Sequence, residues 1–192
     1  YDRSRKDALS GWKNSLKKKV KIVRAMPNTP ALVGEGMTAA CANDAVTEEE
    51  KEYALKILRS FGKVEIVAEN MIDAVVAVSG SAPAYVFMFI EAMADAAVSE
   101  GMPRKQAYEF AAQAVYGSAK MVLDTGKHPG ELKDMVCSPA GTTIEAVRVL
   151  EEKGLRSAVI EAMKYALINR ERCNNEEIKC CKTDFYRSKE AN

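Results

Sequence analysis

The 192-residue chain has one histidine, one tryptophan and only 7% aromatic residues. It lacks an excess of either charge: 28 Lys and Arg stand against 27 Asp and Glu, a net +1. No global positive field steers a polyanion to such a surface, so no nucleic-acid partner is expected. One histidine and the absence of any C-x-x-C spacing leave too few ligands for a zinc site. Six prolines and eleven glycines are too few for a collagen-like or low-complexity chain. No G-x-G-x-x-G occurs; Gly34 and Gly36 lack the third glycine and no helix follows them. The longest charge-free stretch, Ala74 to Ile90, is interrupted by Ser79-Gly80-Ser81-Ala82-Pro83, so no membrane span is expected. The sequence opens on Tyr1 with no signal-peptide pattern, as a processed protein or a fragment does.

The five cysteines, at 41, 137, 173, 180 and 181, are an odd number without a secretion signal. That favours reduced thiols and a cytoplasmic protein. Cys137 has no base near it in sequence, so a small buried thiol is a better reading than a nucleophile. What is abundant is apolar: 47% hydrophobic against 29% charged residues, enough for a sizeable core. Alanine and methionine are plentiful, which points to closely packed helices.

Along the chain, residues 8–18 predict a short amphipathic helix with Leu9, Trp12 and Leu16 on one face. Lys17 to Lys19 read as cations ending that helix, with a nuclear signal as the other reading. Val20 to Val23 predicts a strand, and Met26-Pro27-Asn28-Thr29-Pro30 a loop, because its prolines oppose both helix and ladder. Met37 to Ala42 predicts a second strand. Thr47 caps a helix with Glu48, Glu49 and Glu50 in its first turn, ending at Gly62. Val64 to Val67 predicts a third strand.

From Glu69 the strand signal vanishes. Helices are predicted from Pro83 to about Ser99, from Pro103 to about Leu123, from His128-Pro129, from Ser138-Pro139 to about Glu152, and over 155–169. His128 reads as a helix cap rather than a base. The expected domains are an α/β part over 1–68, a helical part over 69–170, and a polar, disordered or loosely attached tail over 171–192. Three strands are too few for a closed α/β sheet, so the front domain reads as incomplete. Tyr85-Val86-Phe87-Met88-Phe89-Ile90 is apolar all round a helix and must be covered on every side. An intertwined homodimer covers it; a core helix of a larger monomer is the alternative.

The segment Cys137 to Glu145 carries the strongest chemical signal. Ser138 is expected as N-cap and Pro139 as first helical residue. A capping box calls for Glu or Gln three residues on, where Gly141 stands instead. The amides at this helix start are thus unclaimed, and with the hydroxyls of Thr142 and Thr143 they suit a small carboxylate or phosphate. Water on those amides is the alternative reading.

Four segments in this order, Val23 to Val33 (VRAMPNTPALV), Val78 to Tyr85 (VSGSAPAY), His128 to Asp134 (HPGELKD) and Ser138 to Ile144 (SPAGTTI), resemble pyrroline-5-carboxylate reductase over about residues 8–165. The resemblance implies an α/β remnant of a Rossmann domain followed by an all-α helical dimerisation domain. It implies an enzyme that reduces 1-pyrroline-5-carboxylate to L-proline with NADPH or NADH, the last step of proline biosynthesis. It also implies a homodimer, in many members assembled further into a ring. Carried over residue by residue, Ser138, Gly141, Thr142 and Thr143 hold the substrate carboxylate. Thr143 lies near the ring nitrogen as the candidate for proton delivery, Glu69 borders the substrate pocket, and Met135 lies near the cofactor. Relatives usually read Ser-Pro-Gly-Gly where Ala140 stands here, harmless if helical but costly at positive φ. The family's glycine-rich βαβ unit is expected before residue 1. Two other readings stay open: a non-catalytic dimerisation module binding a small carboxylate, and a thiol or metal protein built on the cysteine tail.

Overall fold

The computed structural model describes residues 20–175, with side chains described as far as residue 168. The helix expected over 8–18 and the cysteines after Ile168 lie outside the described side chains. Two compact units are distinguished among the described residues: residues 20–83 with 163–175, and residues 84–162.

In the first unit, three strands form a sheet in the order β1-β2-β3: β1 (Val23–Met26), β2 (Gly36–Ala42) and β3 (Gly62–Ile66). β1 runs antiparallel to β2, with Arg24 opposite Cys41; β3 runs parallel to β2, with Gly62 opposite Gly36. β1 begins three residues later than Val20. The Asn43 side chain explains the shift, because it takes the backbone of that stretch out of the ladder. Asn43 Oδ1 accepts from Ile22 N–H at 3.3 Å and its Nδ2 donates to the Val20 carbonyl at 2.8 Å. Met26 is the last residue of the strand, and the expected loop includes a 3-10 turn, Thr29–Val33. Pro30 is tolerated there because the first turn of a helix does not need its N–H.

The parallel pair is joined by α1 (Glu48–Leu58), which starts as the sequence predicts. Glu50 N–H donates to Thr47 Oγ1 at 3.3 Å, and Thr47 N–H donates to Glu50 Oε2 at 3.0 Å, a reciprocal capping box. A 3-10 turn, Arg59–Phe61, leads into Gly62 at φ +146. A Cβ there would stand 2.0 Å from the Gly36 carbonyl oxygen, so the close approach of β3 to β2 requires glycine. β3 consequently begins two residues before Val64. Strand alternation sends Ala39 and Cys41 to one face, where they pack with Ile72, Met26, Val67 and Val75.

The helical character after Glu69 is as expected, but Ser79 to Pro83 bends the run rather than ending it. A 3-10 turn, Glu69–Met71, enters α2 (Ile72–Val75), then a π-turn, Val76–Gly80, and then α3 (Ala82–Ser99). The run Glu69–Ser99 is long and apolar enough to cross a membrane by length and composition.

The second unit holds most of α3 together with α4 (Arg104–Thr125), α5 (Pro129–Val136) and α6 (Thr142–Glu152). Gly126, at φ +65, ends α4. The covered apolar side chains described in this unit are alanines: Ala94, Ala107 and Ala111. The large ones are half-buried or exposed; Phe87 is 60% exposed, Met88 69% and Phe110 67%. The last helix, α7 (Leu155–Asn175), starts after Gly154 and continues six residues past Asn169.

Candidate functional site

The site expected around Ser138 is built by the turn between α5 and α6. Gly141 N–H donates to the Ser138 carbonyl at 3.0 Å, closing a four-residue turn. Pro139 is its second residue and Ala140 its third, with φ +56, the sole positive φ outside glycine among the described residues. Proline followed by a positive φ is the pattern of a type II turn. The expected capping is therefore corrected. Ser138 is not the N-cap and Pro139 is not helical; the cap is Gly141 (φ −78, ψ 165) and the helix begins at Thr142. A left-handed Ala140 cannot continue a right-handed helix, so α6 starts only after it.

This displacement leaves the helix start more open than a serine cap would. Gly141 has no side chain, and no side chain caps α6. The Ser138 hydroxyl lies over Gly141: a Cβ on that glycine would stand 2.4 Å from it. Glu145, the acid of the first turn, is held by Arg148, whose Nε donates to it at 3.0 Å. Ser138 and Thr142 are exposed, and Thr143 is half-buried. Within about one turn the fold thus brings together uncapped amides, three hydroxyls and the positive end of a helix dipole. Such an arrangement receives a small anion.

Met135 sits at the end of α5, 64% exposed, with Lys127 Nζ at 4.0 Å from its sulfur. Cys137 closes α5 and is half-buried. His128 is the N-cap of α5, as expected: its Nδ1 accepts from Gly130 N–H at 3.0 Å, which engages the nitrogen a base would use. Among the described residues no three His, Cys, Asp or Glu side chains converge as metal ligands.

Glu69 belongs to the first unit, at the head of the helical run, where Arg24 Nη1 donates to its Oε1 at 3.1 Å. Sequence reasoning missed this partner, since 45 residues separate the two. Cys41, opposite Arg24, registers both charges: burial pushes its thiol pKa up, Glu69 pushes it further, and Arg24 pulls it down.

The start of α1 does not fit a pyrophosphate. In a nucleotide-binding βαβ unit the helix start faces the pyrophosphate. The crossover here is β2-α1-β3, and its helix start is closed by the Thr47–Glu50 capping box behind three consecutive glutamates. Lys21 Nζ donates to Glu50 at 2.5 Å, and chiefly this bond holds the carboxyl down to a pKa of about 2. A fixed anion stands where a phosphate would need open amides.

Known proteins share this architecture. Residues 69–172 match the family model for pyrroline-5-carboxylate reductase dimerisation. Over 143 residues the chain is 73% identical to the pyrroline-5-carboxylate reductase of Escherichia coli (strain K12), covering 74% of this chain and 53% of that protein. The crystal structure of Plasmodium falciparum pyrroline carboxylate reductase with NADP bound matches with a TM-score of 0.78 at 34% identity, over 85% of this chain and 65% of that one. A pyrroline-5-carboxylate reductase structure from Coxiella burnetii matches with a TM-score of 0.78 at 39% identity, over 83% and 60%. The chain spans about half the length of the curated relatives it matches.

Proposed function

The chain belongs to the pyrroline-5-carboxylate reductase family, and from that premise we propose that it serves the reduction of 1-pyrroline-5-carboxylate to L-proline, the last step of proline biosynthesis. The observation that carries the reading is the uncapped start of α6 behind the Ser138–Gly141 turn. The substrate is a cyclic imine bearing a carboxylate, the kind of anion such a start receives. The amides of Thr142 and Thr143, with the Ser138 hydroxyl and the bare backbone of Gly141, hold the carboxylate. Thr143 then presents its hydroxyl to the ring nitrogen for proton delivery or iminium orientation.

The hydride belongs to NADPH or NADH, with Met135 near the cofactor, although the described residues offer no pyrophosphate cradle. This chain's contribution is positioning and charge stabilisation. The working form is a homodimer, in a ring where dimers assemble further, acting in the cytoplasm without nucleic-acid or membrane partners. Support for the dimer comes from Phe87, Met88 and Phe110 standing exposed on α3 and α4 while only alanines are covered. Burying each large side chain contributes about 1.5–3 kcal/mol. The apolar run Glu69–Ser99 is covered, in this reading, by a second copy rather than by lipid.

Titrating L-proline into the purified chain in a calorimeter tests the reading. Saturable one-per-chain binding is expected; no heat at millimolar ligand contradicts it. A second reading is a non-catalytic dimerisation module that binds a small carboxylate. It predicts the same proline binding with no reductase activity in any assembly containing the chain.

A further inference from the structure

We propose that residues 69–80 form a strap that closes over Cys41 on one face of the sheet and opens as a unit while the strands stay paired. Every part of it lies in the first unit. The strap is three single turns in succession: a 3-10 turn at Glu69–Met71, one α-helical turn in α2 (Ile72–Val75), and a π-turn at Val76–Gly80. No side chain caps any of the three. Turns this short do not hold themselves, since an isolated helix is marginal below about 12–15 residues. Tertiary contacts hold them instead.

Those contacts are of two kinds. Ile72 is buried with Ala39 and Cys41 of β2, and Val75 packs against the same cluster. Each end of the strap is then tied to β1 or to the loop after it. At the head, Arg24 Nη1 donates to Glu69 Oε1 at 3.1 Å. The side chains of this pair are 28% and 17% exposed, whereas every other ion pair described has at least one side chain more than half exposed. At the tail, Asn28 Nδ2 donates to the Ser79 carbonyl at 3.2 Å, and a Cβ on Gly80 would stand 3.7 Å from Met26 Cε. Opening exchanges both ties for bonds to water, so the net cost per tie is modest. It leaves the β1-β2-β3 ladder whole, because the strap supplies no strand to it. A segment held by few buried side chains opens below the free energy of global unfolding. The Cys41 thiol beneath is 6% exposed and its pKa is pushed up by burial, so it is inert while the strap is closed. Reagents reach it through the opening, and its alkylation rate counts the open state.

Slow alkylation of the full chain by iodoacetamide, read by peptide-resolved mass spectrometry, follows Cys41 apart from the other four cysteines. The variants are E69A and N28A, which each cut one tie, and L55V, which trims a buried side chain of α1 outside the strap. E69A and N28A each speed Cys41 labelling about tenfold. L55V lowers the urea midpoint but changes the labelling less than about twofold, because a local opening leaves α1 in place. If L55V speeds labelling as much as E69A and N28A do, the thiol is reached by global unfolding and the inference is overturned. Unchanged labelling in both E69A and N28A overturns it as well. So does parent labelling as fast as that of the urea-unfolded chain, since nothing then covers Cys41. Should a variant fail to fold, hydrogen exchange of the parent decides. The Met71 and Ser81 N–H groups, bonded to the Ala68 and Val76 carbonyls, then exchange together and at least about tenfold faster than the ladder amides of β2. Equal protection of strap and ladder contradicts the strap.

Discussion

The Asn28 side chain donates to the Ser79 carbonyl at 3.2 Å and accepts from Met37 N–H at 2.8 Å, joining the π-turn to the start of β2. Its necessity follows from Pro83. In an α-helix the Ser79 carbonyl would accept from the N–H of residue 83, and proline has none. The π-turn absorbs the mismatch, with Ser81 N–H reaching back to the Val76 carbonyl at 2.9 Å. Asn28 satisfies the carbonyl left over. N28A removes both bonds, and a loss of about 2–3 kcal/mol is expected in urea unfolding. N28D keeps an acceptor for Met37 N–H but sets a carboxylate against the Ser79 carbonyl, so it recovers little of the loss. A loss under about 0.5 kcal/mol contradicts the clamp.

Ala140 holds φ +56 on the approach to α6, a conformation that costs a side-chain-bearing residue about 1–2 kcal/mol. Glycine removes that strain but adds unfolded-chain entropy of about 0.4–1 kcal/mol. A140G is therefore expected to stabilise the chain by about 0.5–1 kcal/mol in thermal or urea unfolding. A destabilised A140G shows that the turn is not strained.

Glu50 gives the acid limb of stability a defined window. Its pKa is lowered from 4.5 to about 2, first by the Lys21 hydrogen bond and then by the Thr47 backbone. A group whose folded pKa is depressed contributes stability above its unfolded pKa and loses it as pH falls through the folded value. The parent chain should exceed E50Q in stability above pH 4.5, and the gap should close between there and about pH 2. Because both side chains of the pair are about half exposed, salt should narrow the gap. A gap constant from pH 6 to pH 2 contradicts the assignment.

Much of the architecture was legible because local chemistry decided it. Thr47 with its three glutamates, Gly62 and His128-Pro129 each specify a helix start or stop on their own, and each does so in the structure. Where the sequence misled, a distant or backbone effect decided. The start of β1 moved because Asn43, some twenty residues away, takes the Ile22 and Val20 backbone groups. The start of α6 moved because Ala140 adopts a left-handed conformation that alanine rarely takes, hiding a turn beneath a strong capping pattern. Arg24 and Asn28 were invisible as partners of Glu69 and Ser79, since no local period connects residues so far apart. The missing Glu or Gln at position 141 was legible but was the wrong reason: Gly141 is itself the cap, and its lack of a side chain leaves the amides uncapped.

Cofactor binding provides a sharp negative expectation. With the start of α1 closed by Glu50 and its acidic neighbours, the purified chain should bind NADPH only weakly. Titration followed by cofactor fluorescence checks this. Micromolar binding contradicts it and points to a cradle other than the β2-α1-β3 crossover.

The central claim is that the first peptide N–H groups of α6 grip the acid group of a five-membered ring. Two-dimensional 15N–1H spectra of the chain during an L-proline titration test it most directly. The Gly141, Thr142 and Thr143 amide resonances should move together and saturate, while pyrrolidine, which lacks the carboxylate, leaves them in place. If those three resonances stay fixed at saturating L-proline, or move equally with pyrrolidine, the claim is wrong.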